Sequence, residues 1–204
     1  MKKTILIISF ICLLVSCATT HMAKTDKAPD LTFQPDKATL VIIRETFFGG
    51  GIVFWNYLDG RLIGETMGQT YFVTYVTPGP HYVVVATENT CVAHFDFKPG
   101  KAYFLGEGVT MGVWRARVSG FYPMTPEDAA NAMKNCSYLE YDPKTGQEDM
   151  DPKLYQQAID EYLKDVKENP DAFKDILEYG GFGLAMVVMP KKDFADSALT
   201  AERI

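Results

Sequence analysis

The sequence predicts a mainly β protein: an antiparallel β-sandwich of seven to nine strands, with an appended segment of two to three helices near the C-terminus. Between residues 38 and 118, short runs rich in β-branched and aromatic residues alternate with turn signals, and no helical pattern lies between them. This arrangement is typical of a sandwich or barrel. After residue 120, apolar residues recur instead at three- and four-residue steps, which is the period of amphipathic helices.

The expected strands are short and follow one another closely. Their sequences are ATLVIIRET, IVFWNYL, YFVTYV, HYVVVAT, CVAHFDF, KAYFLGE and VTMGVWRARV. The turn signals between them lie at residues 49–51, 59–60, 78–80, 88–90 and 99–100. Asp59-Gly60 is the strongest of these signals, because both residue types accept the positive φ angles of a type I′ hairpin turn.

A capping residue followed by proline marks the start of each expected helix. The three pairs are Thr125-Pro126, Asp151-Pro152 and Asn169-Pro170. The first helix is expected to end near Lys134, and the third at Gly180-Gly181. The second helix has a one-sided apolar stripe, made of Leu154, Ala158, Ile159, Tyr162, Leu163 and Val166.

These patterns divide the folded body into two parts. Residues 31–120 are expected to form the sandwich. Residues 121–204 are expected to pack on it, because short helices with such apolar stripes make a poor core alone. An apolar run at residues 184–189 predicts a strand that returns to a sheet edge.

The first 16 residues have the pattern of a secretory signal peptide. Lys2 and Lys3 precede an apolar stretch at residues 5–15, which is too short to span a bilayer. The stretch ends in LVSC, which resembles a bacterial lipobox. The resemblance implies that Cys17 receives a diacylglyceryl group, as in palmitate-bearing lipoproteins, and becomes the first residue of the mature chain. The alternative is an ordinary signal peptide with a chance cysteine.

The expected location follows from this resemblance. Ala18, in place of an aspartate, implies sorting to the outer membrane, so the chain is expected in the cell envelope, lipid-anchored and facing the periplasm or the surface. Residues 17–30 contain no aromatic residue and little periodicity, which predicts a flexible tether. His21 is expected to be inert there.

The charge of the chain restricts its partners. The net charge is -6, and loss of Lys2 and Lys3 with the leader changes it to about -8. Such an acidic body argues against nucleic acid as a partner. We therefore expect contact with the membrane through the lipid, with another envelope protein or a glycan as partner, and no cofactor.

Two cysteines remain in the expected body, Cys91 and Cys136. They either form a disulfide, which an oxidising compartment would preserve, or stay as two buried free thiols. Cys91 as a nucleophile would need a neighbouring base. No catalytic motif accompanies it, and neither the glycines at residues 49–51 nor the acidic residues 142–151 have the order of a phosphate or calcium loop.

His94 and Asp96 lie two residues apart on one strand and hence on one face. His81, on the strand before, shares that face only if the turn between the two strands has a two-residue loop at residues 89–90. A three-residue loop at 88–90 places it on the opposite face. A metal site of these three residues depends on that turn, and the expected alternative is a solvated polar face.

Aromatic residues supply the remaining candidates for binding. Trp55 and Tyr57 share one face of a strand, and Tyr71 and Tyr75 share one face of the next. Most of them should be in the core. A partly open groove formed by some of them, with His94 and Asp96, would suit a glycan or a peptide.

Residues 37–107 contain, in this order, the segments ATLVIIR, YLDGRLIG, TYF, VTPGPH and FKPGKAY. Through these segments they resemble a family of bacterial lipoproteins, domain of unknown function 2846. The Asp-Gly hairpin followed by Pro-Gly is also similar to PEGA-type surface modules. The resemblance implies a β-sandwich and identifies no catalytic residue.

The sequence thus favours a non-enzymatic envelope lipoprotein, anchored through Cys17, that binds another envelope component or supports an assembly. The rival hypothesis is a ligand-binding or hydrolytic domain that acts on an envelope glycan or peptide between the sandwich and the helices. A binding module should expose a contiguous apolar or aromatic patch. An enzyme should have a deep pocket with convergent polar groups and perturbed pKa values.

Overall fold

Two β-sheets pack face to face in the structure, a computed structural model that describes residues 21–27, 29, 34–112, 116–145 and 148–183. The protein is mainly β, and the helices of the described residues lie in the C-terminal part of the chain. The predicted sandwich with an appended helical segment is therefore confirmed. Over the residues described, none of the helices is long and apolar enough to cross a membrane.

Eight strands of the described chain correspond to the seven to nine predicted ones. They are β2 (Ala38–Arg44), β3 (Phe54–Leu58), β4 (Arg61–Thr66), β5 (Thr70–Val76), β6 (Gly79–Ala86), β7 (Thr90–Phe97), β8 (Lys101–Met111) and β9 (Ala116–Pro123). Three further strands are β1 (Met22–Lys24), β10 (Ser137–Tyr141) and β11 (Phe182–Gly183). The helices are α1 (Pro126–Lys134), α2 (Pro152–Glu168) and α3 (Lys174–Leu177), with 3₁₀ turns at Pro143–Thr145 and Pro170–Phe173.

The larger sheet has the order β1-β10-β5-β2-β8-β11, and β9 also pairs with β8. The smaller sheet has the order β4-β3-β6-β7. Most pairs are antiparallel, but β2 is parallel to β8 and β10 is parallel to β5. The strand β2 therefore lies centrally in the larger sheet, between β5 and β8.

The side chains of β2 alternate between the two faces of the larger sheet, and every residue of the strand is buried because both faces are covered. Leu40 and Ile42 point inward to the core between the sheets, where they join Phe72, Phe95 and Tyr103. Val41 and Ile43 point outward and are covered by a helix. A strand buried on both faces reads as a continuous apolar run.

The helices α1 and α2 cover the outer faces of the sheets. Ala129 and Met133 of α1 pack with Val41 and Ile43 against the larger sheet. On the smaller sheet, the α2 residue Ile159 packs in a separate outer cluster that includes Tyr57, Leu62 and Val84. The helical segment thus packs on the sandwich at several places.

The first two helix starts follow the sequence closely, whereas Asn169 makes no side-chain capping bond and precedes a 3₁₀ turn. The Thr125 hydroxyl accepts a hydrogen bond from the Asp128 backbone N–H at 3.1 Å, and the Asp151 carboxylate accepts one from the Lys153 backbone N–H at 2.8 Å. In α2, however, the apolar stripe is narrower than predicted. Ala158, Ile159 and Tyr162 are buried, whereas Leu154 and Leu163 are 57% and 50% exposed.

Two stretches differ from the sequence-based expectation. The runs KAYFLGE and VTMGVWRARV, expected as separate strands, are joined at Gly108, because Gly108 pairs with Gly120 inside the β8–β9 ladder and β8 continues to Met111. The expected flexible tether differs at β1, where residues 22–24 pair with β10 and Met22 enters the core between the sheets. The apolar side chain of Met22 explains this, because its burial stabilises an added edge strand.

Several predicted features lie outside the described residues. These are the leader, the lipobox cysteine Cys17, Trp114 and the expected strand at residues 184–189. The two residues before that strand form β11, which pairs antiparallel with the start of β8 through Phe182 and Ala102.

The Asp59-Gly60 hairpin turn gives the first testable prediction. Asp59 and Gly60 have φ angles of 49° and 83°, as a type I′ turn requires. Replacing Gly60 with valine forces a β-branched residue into this region, so Gly60→Val should lower the free energy of unfolding by about 1 kcal/mol or more. Urea denaturation of the purified protein measures the change.

The control for this prediction is Gly51→Val. A side chain at Gly51 would meet open space, and its φ angle is not positive. This variant should unfold close to the parent. Equal stability of the two variants would contradict the role of the turn.

Candidate functional site

The structure does not bring the predicted aromatic residues into one groove. Trp55 and Tyr57 lie on the outer face of the smaller sheet, beneath α2. Tyr71 lies on the outer face of the larger sheet beside α1, and Tyr75 is on the same face of β5. The two pairs are thus on opposite outer faces of the sandwich.

The β6–β7 turn determines whether His81 and His94 lie on the same face of the smaller sheet. Its loop is residues 87–89, so Tyr82 pairs with His94 and His81 pairs with Phe95. His81 and His94 therefore lie on opposite faces, and a site formed by both is not assembled. Among the described residues, no group of three His, Cys, Asp or Glu side chains is placed to hold a metal ion.

Each of the three polar side chains has a local partner instead. His81 Nδ1 lies 2.5 Å from Asp59 Oδ2, and its Nε2 lies 2.9 Å from the Thr77 carbonyl oxygen. His94 packs on the Tyr82 ring with 4.8 Å between centroids. Asp96 forms an ion pair with Lys98.

Cys91 and Cys136 do not form a disulfide in the structure. The Cys91 Sγ lies 3.6 Å from the Val118 carbonyl oxygen, and the Cys136 Sγ lies 3.7 Å from that of Arg44. Burial raises the pKa of Cys91 to about 11, although Arg117 opposes this effect. The thiol is therefore protonated at neutral pH, which disfavours it as a nucleophile.

A cleft of about 530 Å³ lies where the rival hypothesis expected one, between the sandwich and the helices. Its walls come from β7, β9, α2 and α3. Apolar side chains such as Phe121 and Phe173 line it, and Glu161, Asp165 and Asp175 add negative charge. The cleft could hold an extended ligand with apolar and cationic groups. Cys91 also lines the cleft, but its protonated thiol disfavours cysteine catalysis there.

An arginine in the protein interior organises the loop at residues 45–53. The Arg44 side chain is fully buried, yet its guanidinium donates hydrogen bonds to the carbonyl oxygens of Phe48 (3.1 Å), Gly49 (2.8 Å) and Ile52 (2.7 Å). It also lies 3.9 Å from the centroid of the Phe54 ring. Three backbone carbonyls are thereby fixed toward the inside of the molecule.

Glu107 is the buried acid that faces this arginine. Its carboxylate accepts hydrogen bonds from the Asn56 amide at 2.8 Å and from the Thr66 hydroxyl, both of which belong to the other sheet. Burial raises the pKa of Glu107 to about 7, while Thr66, Asn56 and the Arg44 charge oppose the rise. This polar cluster joins the two sheets at one end of the core.

The loop that Arg44 holds exposes two phenylalanines. Phe47 and Phe48 are 73% and 45% exposed, and Met111 is 71% exposed at the end of β8. We call these three residues the aromatic tip. Gly49, with a φ angle of 64°, packs so tightly that a side chain there would collide with Ala116, the cross-strand partner of Met111.

Sequence reasoning missed both the polar cluster and the tip. A signal for the cluster was present, since Arg44 and Glu107 both fall at inward positions of strands that are otherwise apolar. The glycines at residues 49–51 were predicted only as a turn, and the strands that they connect, β2 and β3, lie in different sheets. The importance of the two preceding phenylalanines depends on their exposure, which the sequence pattern alone does not provide.

No family model matches the chain. A protein of Haemophilus influenzae that carries the description "Uncharacterized protein" is 27% identical to it over 113 residues, which cover 53% of this chain and 67% of that relative. No solved structure matches the chain. These similarities carry no information on function.

The polar cluster generates a prediction about pH. The folded pKa of Glu107, about 7, is above its ordinary value of 4.5, so the folded state binds the proton more tightly than the unfolded state. The resulting stability is complete below pH 4.5 and is lost as the pH rises to about 7. At about 1.4 kcal/mol per pKa unit, the loss is roughly 3 kcal/mol.

Urea unfolding at pH 5 and pH 8 would measure this loss. The variant Glu107→Gln should show a smaller difference between the two pH values, because its side chain does not titrate. Glu168→Gln changes an exposed acid at the end of α2 and is the control, which should behave as the parent. An unchanged pH difference in Glu107→Gln would contradict the prediction.

Proposed function

We propose that this chain is a cell-envelope lipoprotein, a non-catalytic binding or structural module that a lipid on Cys17 anchors to the membrane. The observation that carries the binding role is the aromatic tip: Phe47 and Phe48 are exposed on a loop that a buried arginine holds in shape, and Met111 is exposed at the end of β8. The protonated Cys91 thiol in the cleft argues against cysteine catalysis.

The anchor and the outer-membrane location rest on the sequence. The LVSC lipobox, the alanine that follows it and the resemblance of residues 37–107 to the domain of unknown function 2846 lipoproteins support them. Lipid chains contribute about 0.8 kcal/mol per buried CH₂, so two or more chains hold a protein durably. An adjacent envelope protein or glycan is the proposed partner.

The anchor is tested by Cys17→Ser in the full-length chain. The variant should lose the lipid and either leave the membrane fraction or accumulate with its leader uncleaved, as cell fractionation and intact mass would show. Cys12→Ser, within the leader, is the matched control and should behave as the parent. A Cys17→Ser chain that is processed and bound as firmly as the parent would contradict the proposal.

The cleft supports a second function, the binding of an envelope glycan or peptide between the sandwich and the helices. Soluble peptidoglycan fragments are a suitable probe, with binding measured by calorimetry. Phe173→Ala, in the cleft wall, should weaken binding about tenfold or more, whereas Leu177→Ala, an exposed residue outside it, should leave binding unchanged. Equal effects of both changes would argue against the cleft as a binding site.

A further inference from the structure

The loop that carries Phe47 and Phe48 is held in a defined conformation by several hydrogen bonds. The three Arg44 hydrogen bonds hold its backbone from inside, and the Gly68 N–H donates to the Gly50 carbonyl oxygen at 3.2 Å from the β4–β5 turn. Two phenylalanines held in water at a fixed position mark a surface that becomes covered when it meets an apolar partner.

The N-terminal end of the described chain lies close to this tip. The His21 backbone N–H donates to Glu65 at 2.9 Å, and the His21 ring lies 2.5 Å from the same carboxylate. Glu65 is three residues before Gly68, a distance of at most about 10 Å along the chain. Because Gly68 touches the loop of the tip, the tip and the point where the chain enters the fold are at the same end of β4.

The predicted lipid anchor is near the same point. Cys17 is four residues before His21, so the chain between them can span at most about 14 Å. A lipid on Cys17 would thus place the bilayer surface beside His21, and hence beside the tip. The expected tether of residues 17–30 would have allowed the body to stand much further from the membrane.

We infer that the aromatic tip enters the interface of the bilayer that holds the N-terminal anchor, as a second membrane contact. This inference rests on the proposed lipid anchor. Phe47, Phe48 and Met111 match the apolar side of the interfacial region, where such side chains are buried between headgroups and acyl chains.

A tryptophan reporter tests this contact in the full-length protein. The Phe48→Trp variant is reconstituted into vesicles of phosphatidylethanolamine and phosphatidylglycerol, with and without bromine on the acyl chains. Bromine quenches only tryptophan that reaches the acyl region, so fluorescence loss should be at least twofold greater than in the parent, which supplies the background of Trp55 and Trp114. Met111→Trp, a second reporter, should show the same gain.

Leu163→Trp is the matched control, since Leu163 is also an exposed apolar residue but lies on α2, away from the aromatic tip. Its quenching should equal the parent's. Melting temperatures close to the parent's would show that the reporters fold. Quenching of Phe48→Trp no greater than in the parent overturns the inference, and this outcome is also expected if the tip docks on a protein.

The test separates this inference from the anchor. Mass spectrometry of the N-terminal peptide from the same preparation reports whether Cys17 is lipidated. A lipidated chain with unquenched Phe48→Trp overturns only the tip contact. An unlipidated chain overturns the anchor, while quenching still decides whether the tip meets the bilayer.

Discussion

The burial of Arg44 is the constraint on which this end of the molecule depends. A guanidinium removed from water is costly unless hydrogen bonds and a counter-charge replace its hydration. Three loop carbonyls, the face of Phe54 and the nearby Glu107 supply that replacement. The carbonyls must therefore point inward, and the side chains of Phe47 and Phe48 point outward. An interior electrostatic requirement thus determines the shape of a surface loop.

Glu107 extends the same constraint from one sheet to the other. It belongs to β8 of the larger sheet, while its hydrogen-bond donors Asn56 and Thr66 belong to β3 and β4 of the smaller one. Directional bonds fix the relative position of two sheets more narrowly than apolar packing does. The elevated pKa of Glu107 is the consequence of using a carboxyl group in this position.

Local features of the sequence predicted much of the fold. Thr125 and Asp151 cap helices where expected, and Gly60 adopts the turn that Asp-Gly favours. Features that depend on distant pairing were missed. Met22 becomes part of a strand only because β10 offers an edge, and the face of His81 was decided by one turn. The binding candidates failed to converge for the same reason, since strand order, not spacing, assigns residues to sheets.

The contact between His21 and Glu65 changes what an N-terminal anchor would do. A long tether leaves a domain free to reach partners far from the membrane, whereas a chain that enters the fold four residues after Cys17 keeps it at the surface. One anchor point still permits rotation about the connecting chain. A second contact at Phe47 and Phe48 would remove that freedom and present a constant face of the sandwich to the envelope. Restricting orientation in this way lowers the entropy lost when a further partner binds.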